Sequence, residues 1–350
     1  MKIYLIINSL IFGGAERQVI IDSILLSKAG YEVAIIYKDD GPLIESVKNK
    51  DVRFIHLTEK TFLGITRRLF NILQRDKPDY LFAHMFWAQK ISSLPAIFTK
   101  TNLIFFEHGL GLWKRRYHIF ITHLISFWAK KIITVSYAKK QIKIEREGFS
   151  NEKILVIPNS FYPVNKTNLK ILPKEDVFKI AYAGRFNSVK QLHLLVDIAA
   201  IILKRTRKFC FILLGDGPIK EELKAIISNK RVEEHFMLLG YVVNPQEYLI
   251  NCDAFVLPSR SEDLSMALIE AASAGLPCVA FDVGGNKEII RNNEMGFIIE
   301  PFNIQVFADK LIWLIENDSI AKKMGQRARR YANEEYCVQK RLENLNKIIE

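Results

Sequence analysis

Short apolar runs alternate with helix-period segments through the first half of the chain. Each run is apolar at consecutive positions, which is typical of strands in a parallel sheet that is covered on both faces. Helices connect such strands in βαβ units. The predicted strands are 3–8, 32–37, 53–57, 79–84, 103–106, 131–135 and 154–157, and the predicted helices lie near 14–29, 62–76, 87–99, 114–129 and 137–147.

A segment rich in Pro, Asn and Lys, 158–176, interrupts this alternation and is typical of an interdomain linker. The alternation then restarts, and a polar, helical region, 319–349, ends the chain. With 350 residues, the chain exceeds the size of most single cores. We predict an α/β fold of two doubly wound, Rossmann-like domains that face a central cleft, 1–165 and 166–350, with terminal helices able to pack back on the first domain. The later predicted strands are 178–183, 209–214, 236–239, 253–257, 278–281 and 297–299, and the later helices lie near 189–205, 218–229, 265–274 and 304–316.

The net charge of +12 is concentrated in the first half of the chain. Residues 1–165 contain 24 Lys and Arg against 14 Asp and Glu, whereas 166–350 contain 26 against 24. Basic residues such as Lys114, Arg115, Arg116 and Lys139 are mixed with Trp and Phe, which predicts peripheral binding to the anionic, cytoplasmic face of a membrane. An ordinary basic surface is the alternative. A nucleic-acid-binding protein would explain the charge but not the strand-end residues described below.

The four cysteines are widely spaced and form neither a disulfide framework nor a metal-binding pattern, which predicts a reducing, cytoplasmic location. The longest apolar stretch, 117–129, is too short and too interrupted by His and Thr to span a bilayer. No cluster of His, Cys and Asp has metal-ligand spacing. The sequence therefore predicts neither a metal site nor a bound cofactor.

Glycines and histidines follow several strands of the first half. Ligands bind beyond the carboxyl ends of strands in open α/β sheets, so these positions are candidate sites. Gly13 and Gly14 open a helix after the first strand, where exposed amides favour an anion. His108 follows the fifth strand, between Glu107 and Gly109, and His84 ends the fourth. A lone histidine is more often structural, so each position alone is weak evidence.

Charged residues follow the strands of the second half. Arg185 and Lys190 come after the strand at 178–183, with Lys190 in the first turn of the helix predicted from 189. A lysine there opposes the helix dipole unless an anion is bound, and the two cations suit a diphosphate. Glu262 lies in a loop and Glu270 in a short helix that Ser265 caps. Two solvated glutamates are the alternative, but the small and apolar neighbours of Glu270 indicate that it is enclosed.

Taken in order, these motifs resemble the retaining glycosyltransferases of family 4, which have the GT-B fold. The resemblance covers the whole chain and rests on GGAER, EHG, IPNS, GRFNSVK, LLGDGP, the pair Glu262 and Glu270 eight residues apart, and VGGNKEII. It implies a nucleotide-sugar donor, UDP- or GDP-linked, held mainly by the second domain. It also implies a glycan acceptor bound by the first domain, and we expect that acceptor to be lipid-linked in surface-polysaccharide assembly.

Roles follow from the resemblance position by position. Arg185 and Lys190 would hold the diphosphate, Glu270 would bind the ribose hydroxyls, and Glu262 would bind hydroxyls of the transferred sugar. Further positions would complete the donor site. The backbone near Tyr241 would contact the nucleobase, Gly14 would approach the phosphates, and His108 would contact the donor sugar near the reacting centre. Leu264 and Ser265, at the start of the helix that carries Glu270, are also expected to bind the donor.

His84 and Glu107 are expected on the acceptor side. The family usually has Gly directly after the first glutamate, but this chain has Asp263, which makes the role of Glu262 less secure than that of Glu270. A sugar-nucleotide epimerase can share the GT-B fold and is the alternative enzyme. The combination of the glutamate pair with GRFNSVK favours a transferase, and we expect no metal to be needed.

Overall fold

The structure is a computed structural model that describes residues 1–11, 13–47, 51–163, 172 and 176–349. The chain divides into two compact units, one made of Met1–Ser160 with Val338–Glu350 and the other of Phe161–Cys337. The boundary predicted between 165 and 166 lies outside the described residues. Within them, no helix combines the length and the apolar character that crossing a membrane requires.

The first unit contains a seven-stranded parallel sheet with the order β3-β2-β1-β4-β5-β6-β7. Its consecutive apolar residues are buried because helices cover both faces, as the sequence pattern predicts. The strands are β1 (Lys2–Ser9), β2 (Glu32–Asp39), β3 (Val52–His56), β4 (Tyr80–His84), β5 (Asn102–Glu107), β6 (Ala129–Thr134) and β7 (Ile154–Val156). The helices are α1 (Gly14–Lys28), α2 (Phe62–Asp76), α3 (Met85–Thr99), α4 (Arg116–Ser126) and α5 (Tyr137–Glu145).

The second unit repeats this architecture with a six-stranded parallel sheet in the order β10-β9-β8-β11-β12-β13. Its strands are β8 (Phe178–Ala183), β9 (Phe209–Leu214), β10 (Phe236–Gly240), β11 (Ala254–Leu257), β12 (Cys278–Phe281) and β13 (Gly296–Ile299). Its helices are α6 (His193–Ile202), α7 (Lys220–Asn229), α8 (Pro245–Leu249), α9 (Met266–Ala274), α10 (Asn286–Ile289), α11 (Ile304–Glu316) and α12 (Asp318–Glu335).

The last helix, α13 (Val338–Ile349), belongs to the first unit. Arg341 anchors it there, because its guanidinium donates two hydrogen bonds to Asp22 of α1, at 2.8 and 2.6 Å. The same side chain donates to the carbonyl oxygens of Ile157 and Pro158, at 2.9 and 2.6 Å. These four acceptors compensate the cost of burying the positive charge of the guanidinium.

Candidate active site

The loops that follow β8, β11 and β12 are joined at the carboxyl edge of the second sheet. β8 and β11 are neighbours at the point where the strand order reverses, which is where open α/β sheets bind ligands. Arg260 N donates a hydrogen bond to Val189 O over 2.8 Å, and Gly285 N donates to Asp263 O over 2.6 Å. Predicted donor residues on these loops are therefore held near one another.

Lys190 and Glu262 form an ion pair with an Nζ to Oε1 distance of 2.5 Å. The side chains are 21% and 10% exposed, so the pair is only partly shielded from solvent. Lys190 lies in a 3-10 turn, Ser188–Lys190, whose start Asn187 caps, and α6 begins only at His193. The prediction that Lys190 occupies the first turn of a long helix is therefore wrong, and in this structure Glu262 supplies its negative partner.

The loop after β12 approaches the backbone of Glu262 so closely that a side chain would not fit. Gly284 has a φ of 53°, and a Cβ on it would lie 1.8 Å from the carbonyl oxygen of Glu262. Asp263 is buried beside this contact. Gly284 of the VGGN motif thus packs against the main chain that carries Glu262, which is a packing reason for glycine at this position.

Helix α9 begins as the sequence predicts. Ser265 caps it by accepting a hydrogen bond from Leu268 N over 3.4 Å, and Gly275 ends it in the left-handed region. The first amides of a helix have no intrahelical partner, and together with the helix dipole they favour an anion. Glu270 is 2% exposed, which agrees with the expected enclosure, and Leu264 is also buried.

Two further predicted donor residues lie on exposed loops of the same sheet edge. Arg185 follows β8 and is exposed, so its guanidinium can reach a ligand. Tyr241 follows β10, is 40% exposed, and stands two strands away from β8 in the sheet order. Both positions are those expected from the strand pattern, and their proposed contacts remain predictions.

His84 and His108 are brought together in the first unit. β4 and β5 are adjacent, and the Nδ1 atom of His84 lies 2.9 Å from the Nε2 atom of His108 in a hydrogen bond. Gly14, at the start of α1, follows β1, which is the other neighbour of β4. The glycine and histidine positions of the first half therefore share one sheet edge.

Both imidazoles are held in the neutral form. Burial, and then the positive charge of Arg341, lower the pKa of His108 to about 3, against an opposing effect of Glu107. Burial, then His108 and Arg341, place the pKa of His84 well below its ordinary value. One proton is consequently shared in the hydrogen bond between two uncharged rings.

A buried group of five charges lies directly beside this pair, and we call it the five-charge cluster: Glu107, Lys114, Lys139, Lys143 and Glu147. Each carboxylate is within 3.5 Å of all three lysine Nζ atoms. Burial alone raises the pKa of Glu107, but the three positive charges outweigh it and hold that pKa well below its ordinary value. Both carboxylates are compensated by lysines, whereas the cluster has one lysine more than it has carboxylates.

The five-charge cluster changes two sequence-based interpretations. The Glu107 carboxylate forms ion pairs with three buried lysines. Such an environment is more typical of a structural carboxylate than of one that binds the glycan acceptor. Lys114 is 4% exposed and Lys139 is fully buried, so the expectation that they contribute to a basic surface is wrong for these two residues. The neighbouring Arg115 and Arg116 are exposed.

Sequence reasoning did not find the partners that organise the first unit. Lys139, Lys143 and Glu147 are spaced four residues apart, which places them along one face of α5 and its continuation, and this signal could have indicated a shared contact. Arg341 lies in a polar helix with many similar charges, and nothing local distinguishes it. Among the described residues, no group of three or more His, Cys, Asp and Glu is arranged to hold a metal ion.

Comparison with known sequences covers nearly the whole chain. The model for Glycosyltransferase Family 4 matches residues 12–161, and that for Glycosyl transferases group 1 matches residues 165–331. A UDP-Gal:alpha-D-GlcNAc-diphosphoundecaprenol alpha-1,3-galactosyltransferase of Escherichia coli is 24% identical over 364 residues, spanning 96% of this chain and 93% of that protein. A poly(ribitol-phosphate) alpha-N-acetylglucosaminyltransferase of Staphylococcus aureus is 32% identical over 165 residues, which are 47% of this chain and only 34% of the relative.

A solved structure, Anabaena Alr3699/HepE in complex with UDP and glucose, superposes on this chain with a TM-score of 0.90. It has 20% sequence identity and covers 100% of this chain and 99% of its own. The two Rossmann-like units and the family matches thus define a glycosyltransferase of the GT-B fold, which confirms the predicted fold class. The chain belongs to glycosyltransferase family 4. These matches favour the transferase over the epimerase.

Proposed function

We propose that the chain transfers a sugar from a UDP-linked donor to a hydroxyl group of a lipid-linked glycan, with retention of anomeric configuration. The observation that carries the proposal is the arrangement of Arg185, the Lys190–Glu262 pair and the start of α9 on joined loops at one sheet edge. HepE was solved with UDP, and the Escherichia coli relative uses UDP-Gal and a diphosphoundecaprenol-linked sugar. These names support UDP over GDP and a lipid-linked acceptor.

The reaction needs stabilisation of a departing diphosphate. The bond between the anomeric carbon and the phosphate oxygen breaks, and its electron pair leaves with the diphosphate. The acceptor oxygen attacks on the same face, and its proton passes to the leaving phosphate. Arg185, Lys190 and the first amides of α9 would stabilise the new negative charge. Electrostatic stabilisation of this kind is usually the largest single contribution to the rate acceleration by an enzyme.

The ion pair suggests how donor binding rearranges the site. Lys190 would exchange the Glu262 carboxylate for phosphate oxygens, because both are anionic partners of a partly exposed lysine. Glu262 would then be free to accept hydrogen bonds from hydroxyl groups of the transferred sugar. Glu270, enclosed in α9, would bind the ribose.

A screen of thermal unfolding with UDP-glucose, UDP-galactose, UDP-GlcNAc and GDP-mannose tests the donor class, since a bound ligand raises the melting temperature. We expect one UDP-sugar to raise it, and Arg185→Ala to abolish the rise. Lys322→Ala is the matched control, because Lys322 forms an exposed ion pair with Asp318 on α12. Stabilisation by GDP-mannose alone would contradict the proposed base.

We further propose that transfer is independent of divalent metal ions. The cations Arg185 and Lys190 and the α9 amides already offer positive charge to the leaving group, which is the role that Mg²⁺ or Mn²⁺ has in other transferases. Transfer measured with excess EDTA should equal the untreated rate. A requirement for added metal would overturn this part of the proposal.

Peripheral membrane binding is proposed for the α4 face of the first unit. Helix α4 buries only Thr122 and Ser126. Large apolar side chains are exposed along the helix and at its two ends: Leu112, Trp113, Tyr117, Phe120, Leu124, Phe127 and Trp128. Exposed Arg115, Arg116 and Lys130 flank them. An apolar face bordered by cations suits the interface of an anionic membrane, where each basic residue contributes about 1 kcal/mol.

Co-sedimentation with vesicles tests this surface. Binding should require anionic lipid, decrease with salt, and decrease in Arg115→Glu/Arg116→Glu and in Phe120→Ser. Arg67→Glu/Arg68→Glu on α2 is a control with the same charge change away from the α4 face. Dimerisation that disappears in Phe120→Ser, with no vesicle binding, would show that a second copy of the chain covers this face.

A further inference from the structure

The main chain next to Lys190 has an unusual conformation. Gln191 has a φ of 51° and a ψ of 38°, which lie in the left-handed helical region. Residues with a Cβ atom rarely adopt this region, because it brings that atom close to the following carbonyl oxygen. Strain of this kind persists only where the surroundings hold it, and strained residues are concentrated at ligand-binding and active sites. The strain at Gln191 therefore points to a role beside the lysine proposed to bind the diphosphate.

Side chains brace both ends of the 3-10 turn that carries Lys190. At its start, the backbone N–H group of Lys190 donates to the carbonyl oxygen of Asn187 over 3.1 Å and to the Oδ1 atom of the same residue over 3.3 Å. At its end, the Nε2 group of Gln191 donates to the carbonyl oxygen of Ser188 over 2.6 Å. The backbone N–H group of Gln191 reaches the same oxygen over 3.4 Å. The side chain of Gln191 thus makes the shorter of the two contacts that close the turn.

The left-handed residue also sets the direction of the turn, because it separates the turn from α6. With Gln191 in the right-handed helical region, the turn would continue into α6, and Lys190 would take another direction relative to that helix. The middle of the turn is tied independently to the loop after β11, since Val189 O accepts a hydrogen bond from Arg260 N over 2.8 Å. Two side chains and one neighbouring loop therefore hold the turn that carries Lys190.

We propose that Gln191 is a positioning residue for the diphosphate subsite. Its side chain, by donating to Ser188 O, holds the left-handed turn in which Lys190 Nζ faces an anionic partner. That partner is Glu262 in this structure and a phosphate oxygen of the donor in the proposed reaction. The ligand part of this inference rests on the proposed function, whereas the bracing of the turn does not. Gln191 acts through Lys190 and needs no contact with the donor.

Two variants separate the side-chain hydrogen bond from the strain. Gln191→Ala and Gln191→Gly both remove the donor to Ser188 O, but only glycine adopts the left-handed region without strain. The glycine variant should therefore melt about 2–4 °C above the alanine variant. Affinity for UDP, measured by calorimetry, should nevertheless fall about fivefold in both, which is the loss expected for one hydrogen bond. A residue that only stabilised the fold would alter the melting temperature without altering the affinity.

Arg231 provides the matched control in the same unit. It also has a left-handed backbone, with a φ of 55°, and it is exposed in the segment between α7 and β10. Because the sheet is parallel, this segment lies at its amino edge, whereas Lys190 lies at its carboxyl edge. Arg231→Gly should likewise melt above Arg231→Ala, but both variants should bind UDP with wild-type affinity.

Hydrogen–deuterium exchange of the full chain tests the bracing without any ligand. The amide hydrogen of Lys190 takes part in the hydrogen bonds of the turn, so it exchanges when the turn opens. Exchange at this position should be about fivefold faster in both Gln191 variants than in the wild type, and unchanged in the Arg231 variants. Unaltered exchange in Gln191→Ala and Gln191→Gly would overturn the bracing of the turn.

The affinity measurements decide the positioning role. Wild-type affinity for UDP in both Gln191 variants would overturn it. Wild-type affinity in Gln191→Gly alone would also overturn it, because the backbone conformation would then position Lys190 without the side-chain hydrogen bond. If UDP does not bind the wild type, the proposed function fails, and the exchange measurement still decides whether Gln191 braces the turn. Gln191 is only half-buried, so both variants should fold.

Discussion

The five-charge cluster of the first unit and the Lys190–Glu262 pair of the second both use a glutamate at the carboxyl edge of a sheet, Glu107 at the end of β5 and Glu262 in the loop after β11. Glu107 is buried and contacts three lysines, whereas Glu262 contacts one lysine in a partly exposed pair. Both glutamates belong to motifs by which the chain resembles its family, so the motifs do not distinguish the two environments. The two environments are distinguished by the number of lysine partners and by the burial of the carboxylate.

This difference separates charges that stabilise the fold from charges that can exchange partners. A buried carboxylate among several cations cannot leave them without a large desolvation cost. A carboxylate in a partly exposed pair loses little when its lysine turns to another anion. We therefore expect substitutions in the five-charge cluster to affect stability first, and substitutions in the pair to affect ligand binding first.

The largest effect is expected for Glu147→Gln, which leaves three buried lysines with a single carboxylate. The free energy of unfolding of the first unit should fall by about 3–5 kcal/mol. Glu145→Gln, an exposed glutamate at the end of α5 and two residues earlier in the chain, is the matched control and should change it by less than about 0.5 kcal/mol. Urea unfolding followed by tryptophan fluorescence reports mainly on this unit, which contains Trp87, Trp113 and Trp128, whereas the second unit contains Trp313. Equal losses in the two variants would break the comparison.

Arg185→Ala and Lys190→Ala should have the opposite signature. Each removes a cation expected at the leaving diphosphate, so kcat for sugar transfer should fall by about 10²–10³, or about 2.7–4 kcal/mol of transition-state stabilisation. The free energy of unfolding should barely change. Near wild-type turnover of both variants at saturating donor would contradict the diphosphate assignment.

The sequence was sufficient for the fold because most of the buried strands are continuous apolar runs, and Ser265 and Gly275 mark the ends of α9 by local chemistry. It was also sufficient to place Arg185 in the loop after β8 and Glu270 in the helix that follows β11. It was not sufficient for pairings between distant segments, such as Arg341 with Asp22 or His84 with His108. Such contacts depend on strand order and helix packing, which composition and spacing do not encode locally.

The pH dependence of stability provides a finer test of the five-charge cluster. Burial alone raises the pKa of Glu147, but Lys143, Lys139 and Lys114 outweigh it and lower that pKa below the ordinary value of 4.5. The unfolded state thus binds the additional proton first, and stability is lost as pH falls below about 4.5, by up to about 1.4 kcal/mol per pH unit for this group. In Glu147→Gln the slope between about pH 5 and about pH 3 should be smaller by this contribution, measured by urea unfolding at each pH. An unchanged slope would show that Glu147 does not gain stability from its ionisation.

The smallest effect is expected for Glu262→Gln, and its sign is informative. If Glu262 competes with phosphate for Lys190, removing its charge should leave the lysine free, and affinity for UDP should rise. An ion pair of this exposure contributes about 0.2–1 kcal/mol, which corresponds to a gain of up to about fivefold. Transfer of the sugar should nevertheless become slower, because the carboxylate that accepts its hydroxyl groups is lost. Titration of UDP by calorimetry, together with transfer assays, separates the two effects. A tenfold loss of UDP affinity would mean that Glu262 supports the nucleotide itself, and the exchange of partners by Lys190 would then be wrong.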